Sequence, residues 1–397
     1  MSVGTPFHPR TEPLNRKMQW REWSGYFASS VYADAHDIEY NAIREAAALI
    51  DVSPLFKYEV AGPDALRLVD RVITRDATKM AVGQVFYTPW CDESGKVIDD
   101  GTVHRLADDR FRWTAADPQL RWLRQNARGL DVTVEETTER TAAVALQGPL
   151  SRLVLEAAAG ESFADLRYFR RRGTTIAGVP VDVSRTGYTG DLGYELWVDT
   201  EHAVGLWDAL AAAGRDHGLR PAGMLALDVT RLEAGLILLE VDYTSARHAM
   251  NTEQAYSPAE IGLGRLVDLD KGPYVGQRAL AAEARAGGPP RRLVGLELDW
   301  SGIDALHAAQ DLPPVAPAAV SRSAVPIFDR AGRQVGRATS TGWSPILKKP
   351  IALGSVAAAH ERVGTRLSME WTVEGRRGRV DATVVTLPFL DLPRKRA

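Results

Sequence analysis

The sequence predicts an α+β protein built from two or three packed units, and three observations support this. At 397 residues the chain is about twice as long as a common domain, so more than one hydrophobic core is expected. Segments with helical periodicity alternate with short segments that have the period of a strand. Glycine and proline cluster at residues 283–291, which indicates a linker, and the glycine-punctuated short strands beyond it favour a small β-barrel or sandwich.

The elements before the linker follow from hydrophobic spacing and turn residues. Helical spacing over residues 40–50 predicts a helix, and residues 84–116 read as an antiparallel meander. A strand broken by glycine and proline is expected over residues 176–183. It is followed by a glycine-containing loop at 185–193 and a second strand at 194–198, so these segments predict a hairpin with a broad tip.

Composition excludes several classes of function. The formal net charge is -3 and no run of Lys or Arg occurs before Arg394-Lys395-Arg396, so nucleic acid is not an expected partner. No stretch approaches twenty apolar residues and no export signal is visible, so a membrane span is not expected. Cys91 is the single cysteine, which excludes an intrachain disulfide and predicts a cytoplasmic protein.

Metal and nucleotide sites are not predicted either. The eight histidines lack the short spacing of a zinc-binding helix, and no glycine-rich phosphate loop precedes a helix.

Two adjacent carboxylates, Asp99 and Asp100, interrupt an otherwise apolar strand. Adjacent strand residues point to opposite faces, so one carboxylate can face a cavity while the other meets solvent or a turn. A partly buried carboxylate is suited to handling a proton. The alternative is that both are solvated residues at the end of a strand.

The segment from Arg185 to Glu195 combines three glycines with an aromatic residue, Tyr188, and a carboxylate. Such a hairpin tip can admit a flat ring. A pterin presents an amino group and a ring N–H side by side, and the carboxylate of Glu195 could accept both hydrogen bonds. The alternative is a glycine-rich hairpin whose glutamate is merely exposed.

With these residues identified, the chain resembles the aminomethyltransferase family, which comprises the glycine-cleavage T-protein and tetrahydrofolate-dependent demethylase relatives. The similarity covers nearly the whole length. The matching motifs are Asp51-Val52-Ser53, Gly62-Pro63, Val97-Ile98-Asp99-Asp100, Gln147-Gly148-Pro149, residues 184–190 with Gly193 and Glu195, Arg231-Leu232-Glu233-Ala234-Gly235, Pro258 with Gly262-Leu263, and Val275-Gly276.

The resemblance implies a three-domain cloverleaf around a central folate channel, with ferredoxin-like or antiparallel sheets and a small C-terminal β-barrel. The first domain is expected to be discontinuous, with residues 1–60 and 140–285 binding folate. Residues 61–139 form a second domain that carries the Asp-Asp strand, and residues 286–397 form the barrel.

The resemblance also implies the roles of the candidate site residues. Asp100 is expected to be the catalytic carboxylate beside the reactive nitrogens of tetrahydrofolate, and Tyr188 and Glu195 are expected to contact this cofactor. His104 is the third predicted cofactor contact, and it is also a departure from the family pattern, since T-proteins often have an aromatic hydroxyl at this position.

Several departures from the T-protein pattern affect the expected substrate. Pro54-Leu55 replace a usual His-Met, Leu227 replaces a usual Arg, and Arg265 stands at a common Trp position. The first hypothesis is therefore a tetrahydrofolate-dependent transferase that removes a methyl or methylene group from a small O-, N- or S-methylated substrate. The alternatives are a glycine-cleavage aminomethyltransferase that needs a lipoylated carrier protein, and a non-catalytic folate-binding protein.

Overall fold

The computed structural model describes residues 2–396 and shows the predicted α+β fold. Three larger sheets are present in this range: a six-stranded sheet, a five-stranded sheet and a closed six-stranded barrel. A small N-terminal sheet has the order β1-β3-β2, formed by β1 (Val3–Gly4), β2 (Trp20–Trp23) and β3 (Tyr26–Ser29), with α1 (His8–Thr11) between its first two strands. No helix among residues 2–396 is long and apolar enough to cross a bilayer.

The six-stranded sheet has the order β11-β12-β13-β10-β4-β14, with the short β14 parallel to β4 and the other pairs antiparallel. Leu196 and Val198 point from β13 into one core, while Trp197 between them points to the other face, as the period of two requires. The strands are β4 (Ala48–Asp51), β10 (Thr141–Gln147), β11 (Arg171–Ile176), β12 (Val179–Ser184), β13 (Gly193–Asp199) and β14 (Arg220–Pro221). The helices that pack on this sheet are α2 (His36–Glu45), α5 (Ser151–Ala159), α6 (Ala203–Ala213) and α7 (Met224–Glu233).

Two local predictions were wrong in this sheet. The helix expected over residues 40–50 ends at Glu45, and Ala48–Asp51 form β4, which lies between β10 and β14. A short apolar run in the middle of a sheet is buried on both faces, so its hydrophobic spacing resembles that of a buried helix. The single strand expected over 176–183 is a hairpin instead, because Ala177 and Gly178 take positive φ angles and reverse the chain.

The five-stranded sheet is antiparallel throughout, with the order β6-β7-β8-β5-β9. Trp90 and Trp113 meet edge to face in its core at 4.9 Å between ring centroids. The strands are β5 (Phe56–Ala61), β6 (Val85–Cys91), β7 (Val97–Ala107), β8 (Arg110–Ala115) and β9 (Thr133–Glu136), and the helices α3 (Ala65–Val72) and α4 (Leu120–Asn126) contribute to this core.

The C-terminal strands close into a barrel in the order β15-β18-β17-β16-β19-β20, which confirms the barrel expected after the linker. Closure leaves no unpaired edge for another chain to join. The strands are β15 (Arg291–Leu298), β16 (Val325–Phe328), β17 (Gln334–Ser344), β18 (Lys349–Ala357), β19 (Arg366–Val373) and β20 (Arg376–Val385), with α8 (Gln277–Arg285) before them and α9 (Trp300–Ala308) between the first two.

A buried ionic network joins the six-stranded sheet to the barrel. The guanidinium of Arg44 donates to Glu233 at 2.7 Å and to Asp191 at 3.2 Å, and Ser344 of the barrel donates to the other oxygen of Glu233 at 2.6 Å. These charged side chains are almost fully buried. Each charge therefore depends on its partners, because an unpaired buried charge costs several kcal/mol (roughly 3–5).

Candidate functional site

The two carboxylates on β7 point to opposite faces of the five-stranded sheet. Asp99 has no exposed surface and accepts hydrogen bonds from the backbone N–H groups of Ala116 and Asp117, both at 3.0 Å. Asp99 therefore holds the turn that leads into α4. Asp100 faces the other way and keeps part of its surface accessible.

Two tyrosine hydroxyls donate to the carboxylate of Asp100. Tyr87, on the neighbouring strand β6, donates to Oδ2 at 2.6 Å. Tyr243 donates to Oδ1 from the irregular segment that follows α7. The phenols fix the orientation of the carboxylate, and the residue as a whole keeps some exposed surface.

The pKa of Asp100 is raised, first because burial disfavours the charged form. The hydrogen bonds from Tyr243 and Tyr87 oppose this, because they stabilise the anion, while the nearby charge of Asp242 adds to the rise. Burial also raises the pKa values of both phenols, so they remain protonated donors. Asp100 therefore combines a fixed orientation with a proton affinity above that of an ordinary aspartate.

Glu195 lies on β13 and is nearly buried, which differs from the exposed glutamate of the alternative interpretation. The hydroxyl of Thr186 donates to Oε2 of Glu195 at 2.5 Å. No other group among residues 2–396 donates a hydrogen bond to this carboxylate. Burial raises the pKa of Glu195, and the Thr186 bond partly offsets the rise. The second oxygen remains able to accept from a ligand.

Tyr188 connects the hairpin tip to the segment that carries Tyr243. Its hydroxyl donates to the backbone carbonyl of Ile237, and its ring is half-buried. Its pKa is raised by burial, against the opposing charge of Arg231, and the charge of Asp100 contributes to the rise. The structure thus brings Tyr188 and Asp100 into one electrostatic environment although they are far apart in sequence.

His104 is on the same face of β7 as Asp100 but is fully buried. Its Nε2 lies 3.0 Å from the hydroxyl of Thr102, and its ring meets Trp197 edge to face at 5.5 Å between centroids. Burial holds the pKa of His104 well below its usual value, and the charges of Arg112 and Arg171 add to this. A direct contact between His104 and a ligand would therefore require its neighbours to move.

Sequence reasoning missed the partners of Asp100. Tyr87 could have been found, because a correct register for the predicted meander places it opposite Thr102 and diagonal to Asp100. Tyr243 gave no such signal. It lies 143 residues from Asp100 in the chain, in a segment without periodicity, and only tertiary folding brings the two together.

A charged cluster lies close to this region. Asp228 of α7 is nearly buried and receives hydrogen bonds from Arg322 at 2.7 Å and from Arg21 at 3.2 Å. Arg231, one turn further along, donates to Asp242 at 2.9 Å and to Ser340 of the barrel at 2.9 Å. The charges of Asp228, Asp242 and Arg231 all act on the pKa of Tyr188, so the cluster borders the same environment.

Two features define the class to which this protein belongs. The fold has an α+β N-terminal region followed by a closed barrel, and the site has a carboxylate, Asp100, that is held by two phenols. The family model described as the GCVT N-terminal domain matches residues 14–271, and the glycine cleavage T-protein C-terminal barrel domain matches residues 291–391. The chain belongs to the aminomethyltransferase family, which is a family of enzymes.

Individual relatives agree with this assignment. The aminomethyltransferase of Moorella thermoacetica is 35% identical over 395 residues, covering 98% of this chain and 98% of that protein. The trimethylamine-oxide aldolase of Ruegeria pomeroyi is 37% identical over 405 residues, covering 98% of this chain but 47% of that protein, so this chain spans about half the length of that relative. The crystal structure of the glycine cleavage system aminomethyltransferase T from Bartonella henselae superposes with a TM-score of 0.83 at 25% identity, covering 98% of this chain and 99% of that one.

Proposed function

We propose that this protein transfers a one-carbon unit from a small O-, N- or S-methylated substrate to tetrahydrofolate. The observation that carries the proposal is the environment of Asp100. Two phenols orient its carboxylate, burial raises its pKa, and the residue keeps part of its surface exposed. A carboxylate that is held in a fixed orientation and has a raised pKa is suited to proton transfer.

The residues present fit a reduced folate. Glu195 has an accepting oxygen without a protein partner among residues 2–396, and it stands beside the open glycine-containing tip. Its carboxylate would accept from the adjacent N–H groups at the edge of a pterin. Tyr188, half-buried at the same tip, would pack against the ring. Bound tetrahydrofolate supplies the nucleophilic nitrogen that receives the carbon.

Asp100 would act on the charge that develops as the bond to the transferred carbon breaks. As an anion it stabilises positive charge on the donor or on the folate nitrogens, and as an acid or base it moves a single proton. Tyr87 and Tyr243 hold the carboxylate in position for both roles. Orientation of the reacting groups in this way can supply much of a rate enhancement.

The departures from the T-protein pattern favour a small methylated donor. Leu227 and Leu55 contribute to one apolar cluster that packs between the six-stranded sheet and α7. A T-protein would usually carry Arg at the position of Leu227 and Met at the position of Leu55. A relative that covers nearly all of this chain is named a trimethylamine-oxide aldolase, which is consistent with an N-methylated donor. The cytoplasm remains the proposed location, since the single buried Cys91 forms no disulfide.

The experiment incubates the purified protein with tetrahydrofolate and a panel of methylated amines, amine oxides, ethers and sulfonium compounds. Mass spectrometry would follow 5-methyl-tetrahydrofolate, the product of direct methyl transfer, and 5,10-methylene-tetrahydrofolate, which an amine oxide can give because its N–O bond takes up the two electrons. We expect one donor class to give a folate product in amounts that exceed the enzyme. If no donor gives product while calorimetry shows folate binding, the chain is a folate-binding protein without transferase activity, and the proposal is wrong.

The second candidate function is the aminomethyltransferase step of glycine cleavage, which the full-length match to the Moorella enzyme favours. The same incubation with an aminomethylated lipoyl carrier protein would test it. Carrier-dependent ammonia release together with methylene-tetrahydrofolate would establish this function and exclude the demethylase. We expect no such release, because the residues expected on the substrate side differ from those of T-proteins.

A further inference from the structure

A second cleft lies where the five-stranded and six-stranded sheets face each other. Its volume is about 380 Å³, enough for a small organic anion. Strands β5 and β8 form one wall and the hairpin β11–β12 with β13 forms the other. The residues that line the cleft include Arg112, Arg171, Asp182 and Trp197, with Arg110 and Asp199 at the outer strand ends.

This cleft is distinct from the proposed folate site, although both lie between the same two sheets. Asp100 and His104 are on one face of β7, and Glu195 and Trp197 are on one face of β13. The ring of His104 contacts Trp197, which lines the cleft, but His104 itself does not line it. Asp100 and Glu195 do not line the cleft, whereas Trp197 does.

Two guanidinium groups share one carboxylate at the back of the cleft. Arg112 donates through one terminal nitrogen to Asp182 at 2.6 Å, and Arg171 donates through Nε to the other oxygen of Asp182 at 2.6 Å. All three side chains are mostly buried, with exposed fractions of 17%, 16% and 12%. One negative charge therefore faces two positive charges where water is largely excluded.

The arginines keep unused donors. Within residues 2–396, the remaining guanidinium nitrogens of Arg112 and Arg171 have no protein acceptor, yet none is sealed from solvent. Arg112 also packs against the face of Trp197, with its guanidinium carbon 5.0 Å from the ring centroid, which fixes the plane of its donors. A planar guanidinium with free N–H groups matches the geometry of carboxylate and phosphate oxygens.

The charged side chains of the cleft are unevenly distributed. Burial lowers the pKa of the neighbouring His104, and the charges of Arg112 and Arg171 lower it further. Arg110 is paired with Glu59 at 2.6 Å and adds little net charge, and Asp199 is exposed at the end of its strand. The formal charges that line the whole cleft therefore balance, but in its inner part Arg112 and Arg171 face the single carboxylate of Asp182.

We propose that this cleft is a binding site for a small oxyanion, either a carboxylate or a phosphate, held by Arg112 and Arg171 over Trp197. The site does not depend on the proposed function, because its residues differ from those that would contact folate. The bound anion replaces water on the unused guanidinium donors, and no covalent step is involved.

Isothermal calorimetry of the full chain with inorganic phosphate and, separately, with malonate at constant ionic strength tests the proposal. We expect at least one of them to bind, and the stronger one identifies the oxyanion class. The Arg171→Gln variant should bind this anion at least about tenfold more weakly than the wild type. Arg172→Gln is the matched control, because this neighbour on β11 is paired with Asp165 and does not line the cleft.

Two further measurements separate this site from others. Binding should persist when the protein is saturated with 5-formyl-tetrahydrofolate, and it should perturb a fluorescence component that the Trp197→Phe variant lacks. Arg171→Lys, which keeps the charge but loses the planar fork, serves if Arg171→Gln does not fold, and it should also weaken binding. The proposal would be overturned if neither phosphate nor malonate binds, if folate competes with the bound anion, or if the arginine variants bind the anion as tightly as the wild type.

Discussion

Asp99 and Asp100 have the same side chain and adjacent positions, but their partners give them different roles. Asp99 receives backbone N–H donors and is inaccessible, whereas Asp100 receives phenol donors and remains partly open. The pKa of each is raised by burial, yet only Asp100 can exchange a proton with a ligand. We therefore propose that Asp100 takes part in the chemistry, whereas Asp99 holds the turn before α4.

Replacing Asp100 with Asn should reduce turnover by about 10²- to 10⁴-fold, because the amide keeps the shape but can neither carry the negative charge nor transfer the proton. Folate affinity should change little, since Glu195 and Tyr188 are the proposed cofactor contacts. Single-turnover kinetics and calorimetry measure the two effects. Asp108→Asn, at a position that is 91% exposed, is the control, and unchanged turnover in Asp100→Asn would remove this residue from the mechanism.

Replacing Glu195 with Gln should weaken binding of 5-formyl-tetrahydrofolate by about ten- to a hundredfold, the cost of losing a charge-assisted hydrogen bond. Because the folded-state pKa of Glu195 is raised, affinity in the wild type should also fall as the pH drops through that raised value. Calorimetry at several pH values tests both effects. Glu201→Gln, 77% exposed, is the control, and an unaltered dissociation constant in Glu195→Gln would exclude this contact.

At the residue scale, the sequence predicts single strands and their two faces better than it predicts partners. The opposite orientations of Asp99 and Asp100 follow from the period of two, and the structure has them. The Tyr243 hydroxyl could not be placed, because its position depends on how an irregular segment packs across the five-stranded sheet. Pairings of this kind are set by tertiary packing rather than by local spacing.

At the scale of elements, the hairpin tip is held by one buried amide. The side chain of Gln147 on β10 donates to the backbone carbonyls of Thr186 at 3.2 Å and Tyr194 at 3.3 Å, and it accepts from the hydroxyl of Thr189 at 2.7 Å. Gly187 lies against this amide, and a Cβ there would overlap it. The glycine is thus required for close packing of the tip on β10.

Gly187→Ala should destabilise the protein by about 1–3 kcal/mol, because the added methyl must displace the Gln147 amide. It should also weaken folate binding, since Thr186 and Tyr188 move with the tip. Urea unfolding and calorimetry measure the two changes. Gly173→Ala on the nearby strand β11 is the matched control, as a Cβ there meets nothing within 4 Å. Equal stability of the two variants would contradict this role for Gly187.

Some predicted elements are present in the structure, whereas the helix expected over residues 40–50 is present only in part. The strand over Tyr194–Val198 and the barrel after the linker are confirmed. The error at Ala48–Asp51 has a physical cause, because a four-residue strand buried between two neighbours carries no alternation. The sequence shows that these residues are buried, but only the assembled sheet shows what they pair with.

At the scale of the whole molecule, one short segment joins the parts that form the candidate site. Ile237 accepts from Tyr188 of the hairpin tip, and Asp242 accepts from Thr339 of the barrel at 2.6 Å. Tyr243 donates to Asp100, and Ser245 donates to the carbonyl of Ile98 at 2.6 Å. The orientation of Asp100 therefore depends on the docking of all three sheets, which explains why local patterns did not reveal it.

His104 links this docking to pH, since it is buried between the two N-terminal sheets against Trp197. Its folded-state pKa lies well below the unfolded value of about 6.5. Its contribution to stability is thus fully present above the unfolded pKa and is lost as the pH falls below it, by up to about 1.4 kcal/mol per pH unit. Buried carboxylates with raised pKa values act in the opposite sense, so a comparison of variants is needed.

Replacing His104 with Phe, which keeps a ring against Trp197, should remove this dependence. Between pH 7 and pH 5 the wild type should lose more free energy of unfolding than the variant, by about 1–2 kcal/mol. Urea unfolding at each pH measures the difference, and His202→Gln, with a side chain that is 40% exposed, should behave like the wild type. Parallel pH profiles for wild type and His104→Phe would mean that His104 has the same pKa in the folded and the unfolded protein, and the burial of a neutral imidazole between the two sheets would then be wrong.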